Sequence, residues 1–128
     1  KILCIGDIIL DKFISGNVER VSPEAPIPIL NTREEKYVLG GVGNVIANIS
    51  SLGASSEIIS CIGSDLEGKI IRNLISQLVN TKVTLKTDRS RISTSKERYV
   101  SGSQHLLRVD KEEKKEINAN LEQKIKLS

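Results

Sequence analysis

With 128 residues, 27% of them charged and a formal net charge of +3, the chain is long enough for one domain with its own core. Only 2% of residues are aromatic, which argues against a stacking surface for single-stranded nucleic acid, and the weak net charge argues against binding nucleic acid or a membrane through charge alone. No run approaches the roughly 18 apolar residues of a membrane-spanning helix, and no signal peptide is evident.

The chain opens with apolar residues typical of a buried strand. Ile2 to Ile5 and Ile8 to Leu10 form a mostly apolar run, as expected of a strand covered on both faces of a parallel sheet. Cys4 lies in this run and Cys61 in a similar one further along, without the spacing of a metal site or a disulfide framework. We therefore expect two reduced core cysteines, no metal site and a cytoplasmic location.

The next segment is predicted to form a small flap beside the core. Phe13 to Val21 alternates between apolar and polar residues, and Gly16-Asn17 predicts a turn within it. Three prolines between residues 23 and 28 exclude a helix and favour extended edge structure to about Leu30. Two short, half-exposed strands of this kind would form a flap over about residues 13–39.

The sequence Gly40-Gly41-Val42-Gly43-Asn44 opens a predicted helix whose apolar residues recur at helical spacing. Glycine lets a ligand approach the backbone because no Cβ blocks it, and the first amides of a helix point toward that ligand. We infer a backbone-lined site for a small polar ligand, with Asn44 as the nearest side chain that both donates and accepts hydrogen bonds. The P-loop lysine and the third glycine of a dinucleotide fingerprint are absent. A tight turn into the helix would need the same glycines and stays open as an alternative.

Further elements alternate between strand and helix. A capping box of Ser64 and Glu67 predicts where the second helix begins. Strands are expected at Glu57 to Ile62, Val83 to Lys86, Ser95 to Val100 and Gln104 to Asp110, with a charged helix from Lys111 onward that carries Ile117, Leu121 and Ile125 on one face. This alternation predicts an α/β fold with a largely parallel sheet. The last helix has no strand after it, so we expect the fold to continue beyond this chain.

Three charged residues are candidates for contact with a polar ligand. Asp11 follows the first apolar run, at the end of a strand where open α/β sheets hold ligands, and it would accept hydrogen bonds from ligand hydroxyls. Lys96 and Arg98 lie on a predicted strand and would attract an anionic group such as a phosphate. A turn-forming aspartate and a solvated strand face with alternating charge would leave the same patterns, so both alternatives stay open.

Four segments together resemble one family of enzymes. They are Gly6-Asp7-Ile8-Ile9-Leu10-Asp11, Val21-Ser22-Pro23-Glu24-Ala25-Pro26-Ile27-Pro28, the glycine cluster with Leu52-Gly53-Ala54, and Lys96-x-Arg98 followed by Gln104-His105-Leu106-Leu107-Arg108-Val109-Asp110. In this order they resemble the N-terminal part of the PfkB, or ribokinase-like, carbohydrate kinases. The flap segment and the last segment are most similar to the branch of bacterial D-glycero-β-D-manno-heptose-7-phosphate kinases.

The resemblance implies a ribokinase-like α/β/α sandwich, of which residues 1–128 form the N-terminal portion of a single domain, with a β-flap that covers the sugar and often builds a homodimer. It implies that a sugar phosphate is bound by Asp11, Gly40, Gly41, Asn44, Lys96 and Arg98, the last two lying near the sugar or its 7-phosphate. The cofactors would be ATP and Mg²⁺. The reaction would move the γ-phosphate of ATP to O1 of the heptose, toward the ADP-heptose used in lipopolysaccharide.

The sequence also departs from the family. The Gly-Ala-Gly-Asp turn, which carries the catalytic aspartate and the anion hole, does not occur between Lys1 and Ser128. We therefore assign no catalytic residue, expect the ATP-binding half to be missing, and expect these residues alone to be unable to transfer a phosphoryl group. Two alternatives stay open: a truncated or split-gene remnant that acts only as a sugar-binding or dimerisation module, and a kinase for another sugar of the family.

Overall fold

The computed structural model describes residues 1–117 and 119–127. Within these residues the chain forms seven strands and three helices. The strands are β1 (Ile2–Ile5), β2 (Ile8–Val21), β3 (Pro28–Gly41), β4 (Ser56–Ile62), β5 (Thr81–Thr87), β6 (Ser95–Ser101) and β7 (Gln104–Lys111). The helices are α1 (Val42–Ser51), α2 (Leu66–Ile75) and α3 (Ala119–Lys126).

The core is built on a three-stranded parallel sheet in the order β1–β4–β5. One face of this sheet packs against both α1 and α2 through a buried cluster of Cys4, Ile8, Leu10, Leu39, Ile46, Ile58, Ile62, Ile71 and Ile75. Side chains alternate between the faces of a strand, so the side chain of Cys61 points to the opposite face of β4 from that of Ile58. Cys61 lines a cleft with Ile117 and Glu122, which places the C-terminal segment on the second face. The predicted α/β fold with a parallel sheet is confirmed.

The prediction that the first strand is covered on both faces is wrong for the described chain. Cys4 is buried, but Leu3 and Ile5 expose 57% and 63% of their surface. The reason is that the helices α1 and α2 cover the face of the sheet that carries Cys4, whereas Leu3 and Ile5 point to the other face of β1. The apolar run therefore covers the α1 and α2 face only.

A second, four-stranded sheet in the order β3–β2–β6–β7 forms the flap. β2 pairs with β3 in the antiparallel sense and with β6 in the parallel sense, and β7 closes the sheet antiparallel to β6. The flap predicted over about residues 13–39 thus falls within β2 and β3, and the two later strands widen it. The base of this sheet packs in the core cluster through three side chains, those of Ile8, Leu10 and Leu39.

The predicted turn at Gly16-Asn17 is wrong, because β2 runs through both residues. The pairing with β3 shifts register between Ser15 and Gly16, and a Cβ built on Gly16 would clash with the carbonyl of Asn31. This glycine therefore permits a bulge with close backbone approach. The chain reverses further on, where the Ser22 amide donates to the Ile27 carbonyl at 2.8 Å.

The N-cap of the second helix lies one residue later in the chain than the sequence predicts. Asp65, not Ser64, is the N-cap of α2, and its Oδ1 accepts a hydrogen bond from the Gly68 amide at 2.9 Å. Its Oδ2 accepts a second bond from the Ser93 amide at 2.8 Å. Glu67 takes no part in a capping box and instead forms an ion pair with Lys12.

The predicted charged helix from Lys111 onward is wrong over its first part. Lys111 ends β7, and residues 112–117 have no regular structure. These residues include a run of charged side chains with no apolar stripe to bury, so packing does not stabilise a helix there. The helix α3 begins at Ala119, and its Leu121 is buried as the stripe predicted. Residue 118 lies outside the described residues.

Candidate functional site

The glycine cluster lies where the flap returns to the core. β3 ends at Gly41, and α1 begins at the next residue. The amide of Val42, the first helical residue, donates to the carbonyl of Asp7 at 3.0 Å, which ties the start of α1 to the connection between β1 and β2. The base of the flap and the beginning of a helix are therefore brought together by local backbone contacts.

Asp11 and Arg98 form an ion pair across the flap sheet. Arg98 Nη1 lies 2.6 Å from Asp11 Oδ1, and both side chains are largely buried, with 22% and 19% of their surface exposed. The Arg98 guanidinium also lies over the ring of Phe13, 5.2 Å from its centre. These contacts fix the carboxylate and the guanidinium in one orientation on one face of the flap.

Gly40 makes room for this pair. A Cβ built on Gly40 would clash with Asp11 Oδ2, the carboxylate oxygen that does not face Arg98. Gly40 pairs with Ile9 in the sheet, which places it diagonal to Asp11 on the same face. The structure therefore explains this glycine by the position of Asp11.

Gly41 has a backbone conformation that favours glycine, with φ of 57° and ψ of −134°. A Cβ at this position would also clash with the carbonyl of Asp7. Gly41 is the N-cap of α1 and provides no side chain to cap the helix. Asn44 follows in the first turn, exposed at the surface, and its Oδ1 accepts a long contact of 3.5 Å from Asn48 Nδ2.

Lys96 lies on the same face of the flap as Asp11, because the two residues are direct partners in the pairing of β2 with β6. Its Nζ is 3.4 Å from Asp110 Oδ2, a carboxylate that also binds Arg108 at 2.9 Å. Lys96 also lines the cleft that contains Cys61. This cleft has a volume of about 800 Å³, and Asp7, Ile9 and Thr94 line it as well. The cleft is large enough for a small polar ligand.

The structure therefore brings the predicted residues together in two groups. Asp11, Gly40 and Arg98 are in contact or directly adjacent at the base of the flap, with Lys96 beside them on the same face. Gly41 and Asn44 stand at the start of α1, next in the chain to Gly40. Of these six residues, only Lys96 is among those that line the cleft.

A second charged cluster, on the opposite face of the flap, is not evident from the sequence. Lys12 Nζ lies 2.8 Å from Glu97 Oε1 and 3.0 Å from Glu67 Oε1, and Lys111 Nζ lies 3.4 Å from Glu67 Oε2. Burial alone would lower the pKa of Lys12, but its hydrogen bonds to Glu97 and Glu67 outweigh this and raise it. Only the opposite charges that alternate along β2 and β6 hint at this cluster in the sequence.

Among residues 1–117 and 119–127, no three or more histidine, cysteine, aspartate or glutamate side chains cluster as metal ligands would. The same part of the chain has no helix with the length and apolar character needed to cross a membrane. Cys4 is buried and Cys61 half-buried, and both are free thiols. Burial raises the pKa of the Cys61 thiol.

A model of the pfkB family of carbohydrate kinases matches residues 1–124. The chain belongs to this family. It is 44% identical over 117 residues to the bifunctional protein HldE of Mesorhizobium japonicum, covering 91% of this chain and 24% of that protein. It is also 44% identical over 126 residues to the HldE of Helicobacter pylori, covering 98% of this chain and 27% of that protein. The chain thus spans about a quarter of the length of the curated relatives it matches.

Solved structures support the same fold. A carbohydrate kinase from Agrobacterium tumefaciens matches with a TM-score of 0.68 at 22% identity, over 86% of this chain and 34% of that one. An uncharacterised sugar kinase from Pyrococcus horikoshii in complex with ATP matches with a TM-score of 0.61 at 20% identity, over 88% of this chain and 34% of that one. The predicted family and the ribokinase-like fold are confirmed.

Proposed function

We propose that this chain is the sugar-binding part of a kinase that moves the γ-phosphate of ATP to O1 of D-glycero-β-D-manno-heptose 7-phosphate. Membership of the carbohydrate kinase family and relatives named HldE support a sugar phosphate as the substrate class. The flap and strand segments that resemble heptose-phosphate kinases support this particular sugar. In this proposal the product leads to the ADP-heptose of lipopolysaccharide. The two free cysteines suit the reducing cytoplasm as its compartment.

The ion pair of Asp11 with Arg98 is the observation that carries the proposal. One carboxylate oxygen of Asp11 is bound by Arg98, while the other lies over Gly40, where no side chain intervenes. A carboxylate held in this way accepts hydrogen bonds from two neighbouring sugar hydroxyls without first losing side-chain freedom. Gly40 and Gly41 contribute by leaving room for the Asp11 carboxylate and the Asp7 carbonyl, and the Asn44 amide binds a further hydroxyl.

Lys96 and Arg98 are proposed to bind the 7-phosphate. Lys96 lies beside Asp11 and is one of the residues that line the space of about 800 Å³. Its contact with Asp110 is 3.4 Å long, which leaves a phosphate able to compete for the ammonium group. Two cations on neighbouring positions of one strand would offset the charge of the phosphate.

The residues present do not fit the ATP and Mg²⁺ that family membership implies. The Gly-Ala-Gly-Asp turn is absent from the sequence, and the described residues contain no cluster of three or more metal-ligating side chains. We assign no step of phosphoryl transfer to these 128 residues, which are proposed to bind and orient the sugar. ATP-dependent turnover of the heptose phosphate by these residues alone would overturn this part of the proposal.

Binding measurements test the substrate. The intact protein is titrated by calorimetry with D-glycero-D-manno-heptose 7-phosphate, ribose and fructose 6-phosphate. The proposal expects the heptose phosphate to bind at least about tenfold more tightly than either competitor, a difference of ~1.4 kcal/mol. Asp11→Asn should weaken that binding, while Lys82→Met, on strand β5 of the core sheet, should leave it unchanged. Tighter binding of ribose or fructose 6-phosphate would favour a kinase for another sugar.

A homodimer through the flap is a second proposal, and the apolar surface of the flap favours it. Tyr37, Leu107 and Val109 expose 37%, 58% and 42% of their surface. Strand alternation and register place them on the Lys12 face of the sheet. A second copy of the flap would cover this face. Light scattering should give a dimer for the intact protein and a monomer for Leu107→Lys, and a monomer in both cases would contradict the proposal.

A further inference from the structure

The two charged clusters of the flap lie back to back on the same pair of strands. Asp11 and Lys12 are neighbours on β2, and Glu97 and Arg98 are neighbours on β6. Because successive side chains point to opposite faces, the pair of Asp11 with Arg98 lies on one face and the pair of Lys12 with Glu97 on the other. The two ion pairs therefore bridge the same two strands, β2 and β6, from opposite faces.

Glu67 connects this strand pair to the core. It lies in the first turn of α2, where a negative charge is favoured, and it binds both Lys12 and Lys111. Lys12 and Glu67 expose only 13% and 10% of their side chains. An ion pair shielded to this degree is screened little by salt and is geometrically specific when it is hydrogen-bonded.

The backbone joins the flap sheet to the core at Gly6, at Gly41 and through the loop from β5 to β6. Apolar contacts at Ile8, Leu10 and Leu39 hold the base of the sheet without fixing its tilt, since the hydrophobic effect is not directional. Directional contacts to α2 come from Lys12 and Lys111, which bind Glu67, and from the Ser93 amide just before β6, which donates to Asp65.

We propose that Lys12 is a positioning residue: its ion pairs with Glu67 and Glu97 fix the tilt of the flap on α2 and so hold Asp11 and Arg98 in the geometry that receives the sugar phosphate. Lys12 itself lies on the face away from the sugar and does not touch it. This inference rests on the proposed function for its effect on binding, whereas its effect on the flap is independent of any ligand.

The test compares three variants of the intact protein. Lys12→Met removes the charge but keeps most of the apolar stem, and Lys12→Arg keeps a cation that reaches both carboxylates. Lys82→Met is the matched control, because Lys82 forms an ion pair of 2.6 Å with the largely buried Glu57 on the core sheet, away from the flap. Each variant is examined by hydrogen exchange of residues 8–14 and 95–100 and by calorimetric titration with D-glycero-D-manno-heptose 7-phosphate.

Lys12→Met is expected to speed exchange at the base of the flap and to weaken heptose 7-phosphate binding about tenfold. Lys12→Arg should restore both to within about twofold, and Lys82→Met should change neither. Unchanged exchange and affinity in Lys12→Met, or no rescue by Lys12→Arg, would overturn the inference. If Lys12→Met does not fold, Glu67→Gln, which removes the charge at the α2 end of the same contact, replaces it with the same expectations.

The two hypotheses fail in different ways. If the unaltered protein does not bind the heptose phosphate, the proposed function fails, and exchange alone decides whether Lys12 fixes the flap. If the unaltered protein binds it and Lys12→Met binds equally well, the proposed function stands and the positioning role of Lys12 is wrong.

Discussion

The carboxylate of Asp11 occupies the space where any residue other than glycine at position 40 would carry its side chain. A Cβ built on Gly40 would clash with Asp11 Oδ2, whose companion oxygen is held by Arg98. The first glycine of the cluster is therefore needed to seat a side chain of the candidate site, in addition to any approach of the sugar to the backbone. The orientation of Asp11 depends on two residues that are far apart in the sequence.

Gly40→Ala is expected to displace the Asp11 carboxylate and to weaken heptose 7-phosphate binding about tenfold, or ~1.4 kcal/mol, with little change in fold. Gly6→Ala is the matched control, because its added Cβ would lie at an ordinary distance of 3.5 Å from Val42 Cβ. Calorimetric titration of both variants checks the prediction. Equal affinity in the two variants would show that Asp11 tolerates the methyl group or does not bind the sugar.

Gly41→Ala is expected to destabilise the fold. The residue has φ of 57°, and its Cβ would also clash with the Asp7 carbonyl, so the substitution combines backbone strain with a steric conflict. We expect the free energy of unfolding, measured in urea, to fall by about 1–3 kcal/mol. Gly53→Ala is the control. Its φ of 74° is also strained, but nothing lies within 4 Å of the added Cβ, so its free energy of unfolding should fall by less. Equal losses would mean that Asp7 moves aside at no cost.

The sequence predicted part of the local structure of the candidate site. Spacing predicts that the glycines begin a helix, and α1 does begin directly after Gly41, but Asp11, expected just past the end of a strand, lies inside β2. The partners of these residues could not be read in the same way. Asp11 binds a residue 87 positions away and Lys12 one 55 positions away, and both contacts depend on β2 pairing in parallel with β6 and packing against α2.

The errors in the secondary structure share a physical cause. Gly16-Asn17 has the composition of a turn, but pairing along the whole of β2 outweighs this local preference and turns the glycine into a bulge. Ser64 and Asp65 are both good helix caps, and the second hydrogen bond from Ser93 favours Asp65. In each case a contact distant in sequence decided between local alternatives that the sequence left nearly equal.

The Lys12 cluster predicts how stability depends on pH. Hydrogen bonding to Lys12 is the main cause that holds the pKa of Glu97 below its ordinary 4.5. Burial would raise the pKa of Glu67 above the same value, but the hydrogen bond from Lys12 and other contacts outweigh this and lower it. Below pH 4.5 the unfolded chain thus binds more protons than the folded one, and stability falls as the pH falls through the lowered values.

The alkaline side has the opposite sign. The pKa of Lys12 is raised above 10.5, so its contribution is complete below that pH and is lost as the pH rises through the folded-state value. Lys12→Met should therefore flatten the stability profile below pH 4.5 and above pH 10.5. Urea unfolding across this range, with Lys69→Met on the exposed surface of α2 as the control that keeps the cluster, checks the prediction. Parallel profiles for the unaltered protein and Lys12→Met would contradict it.

Asp65 joins the helix α2 to the strand that carries Lys96 and Arg98. Its carboxylate caps the helix through the Gly68 amide and holds the Ser93 amide just before β6. Burial would raise the pKa of Asp65, but hydrogen bonds from Ser93 and Gly68 outweigh it and lower the value. Because Asp65→Ala removes a cap and leaves the amide of the buried Ser93 without its acceptor, we expect the free energy of unfolding in urea to fall by about 1–3 kcal/mol.

Ser64→Ala provides the comparison, since Ser64 is the cap that the sequence predicts and Asp65 is the cap that the structure shows. The serine variant should stay within about 0.5 kcal/mol of the unaltered protein. Asp65→Asn should lie between the two, because its amide oxygen still accepts one hydrogen bond but cannot accept both. A larger loss for Ser64→Ala than for Asp65→Ala would return the cap to Ser64. It would also mean that the hydrogen bond from the Ser93 amide to Asp65 is not what holds the start of β6 on α2.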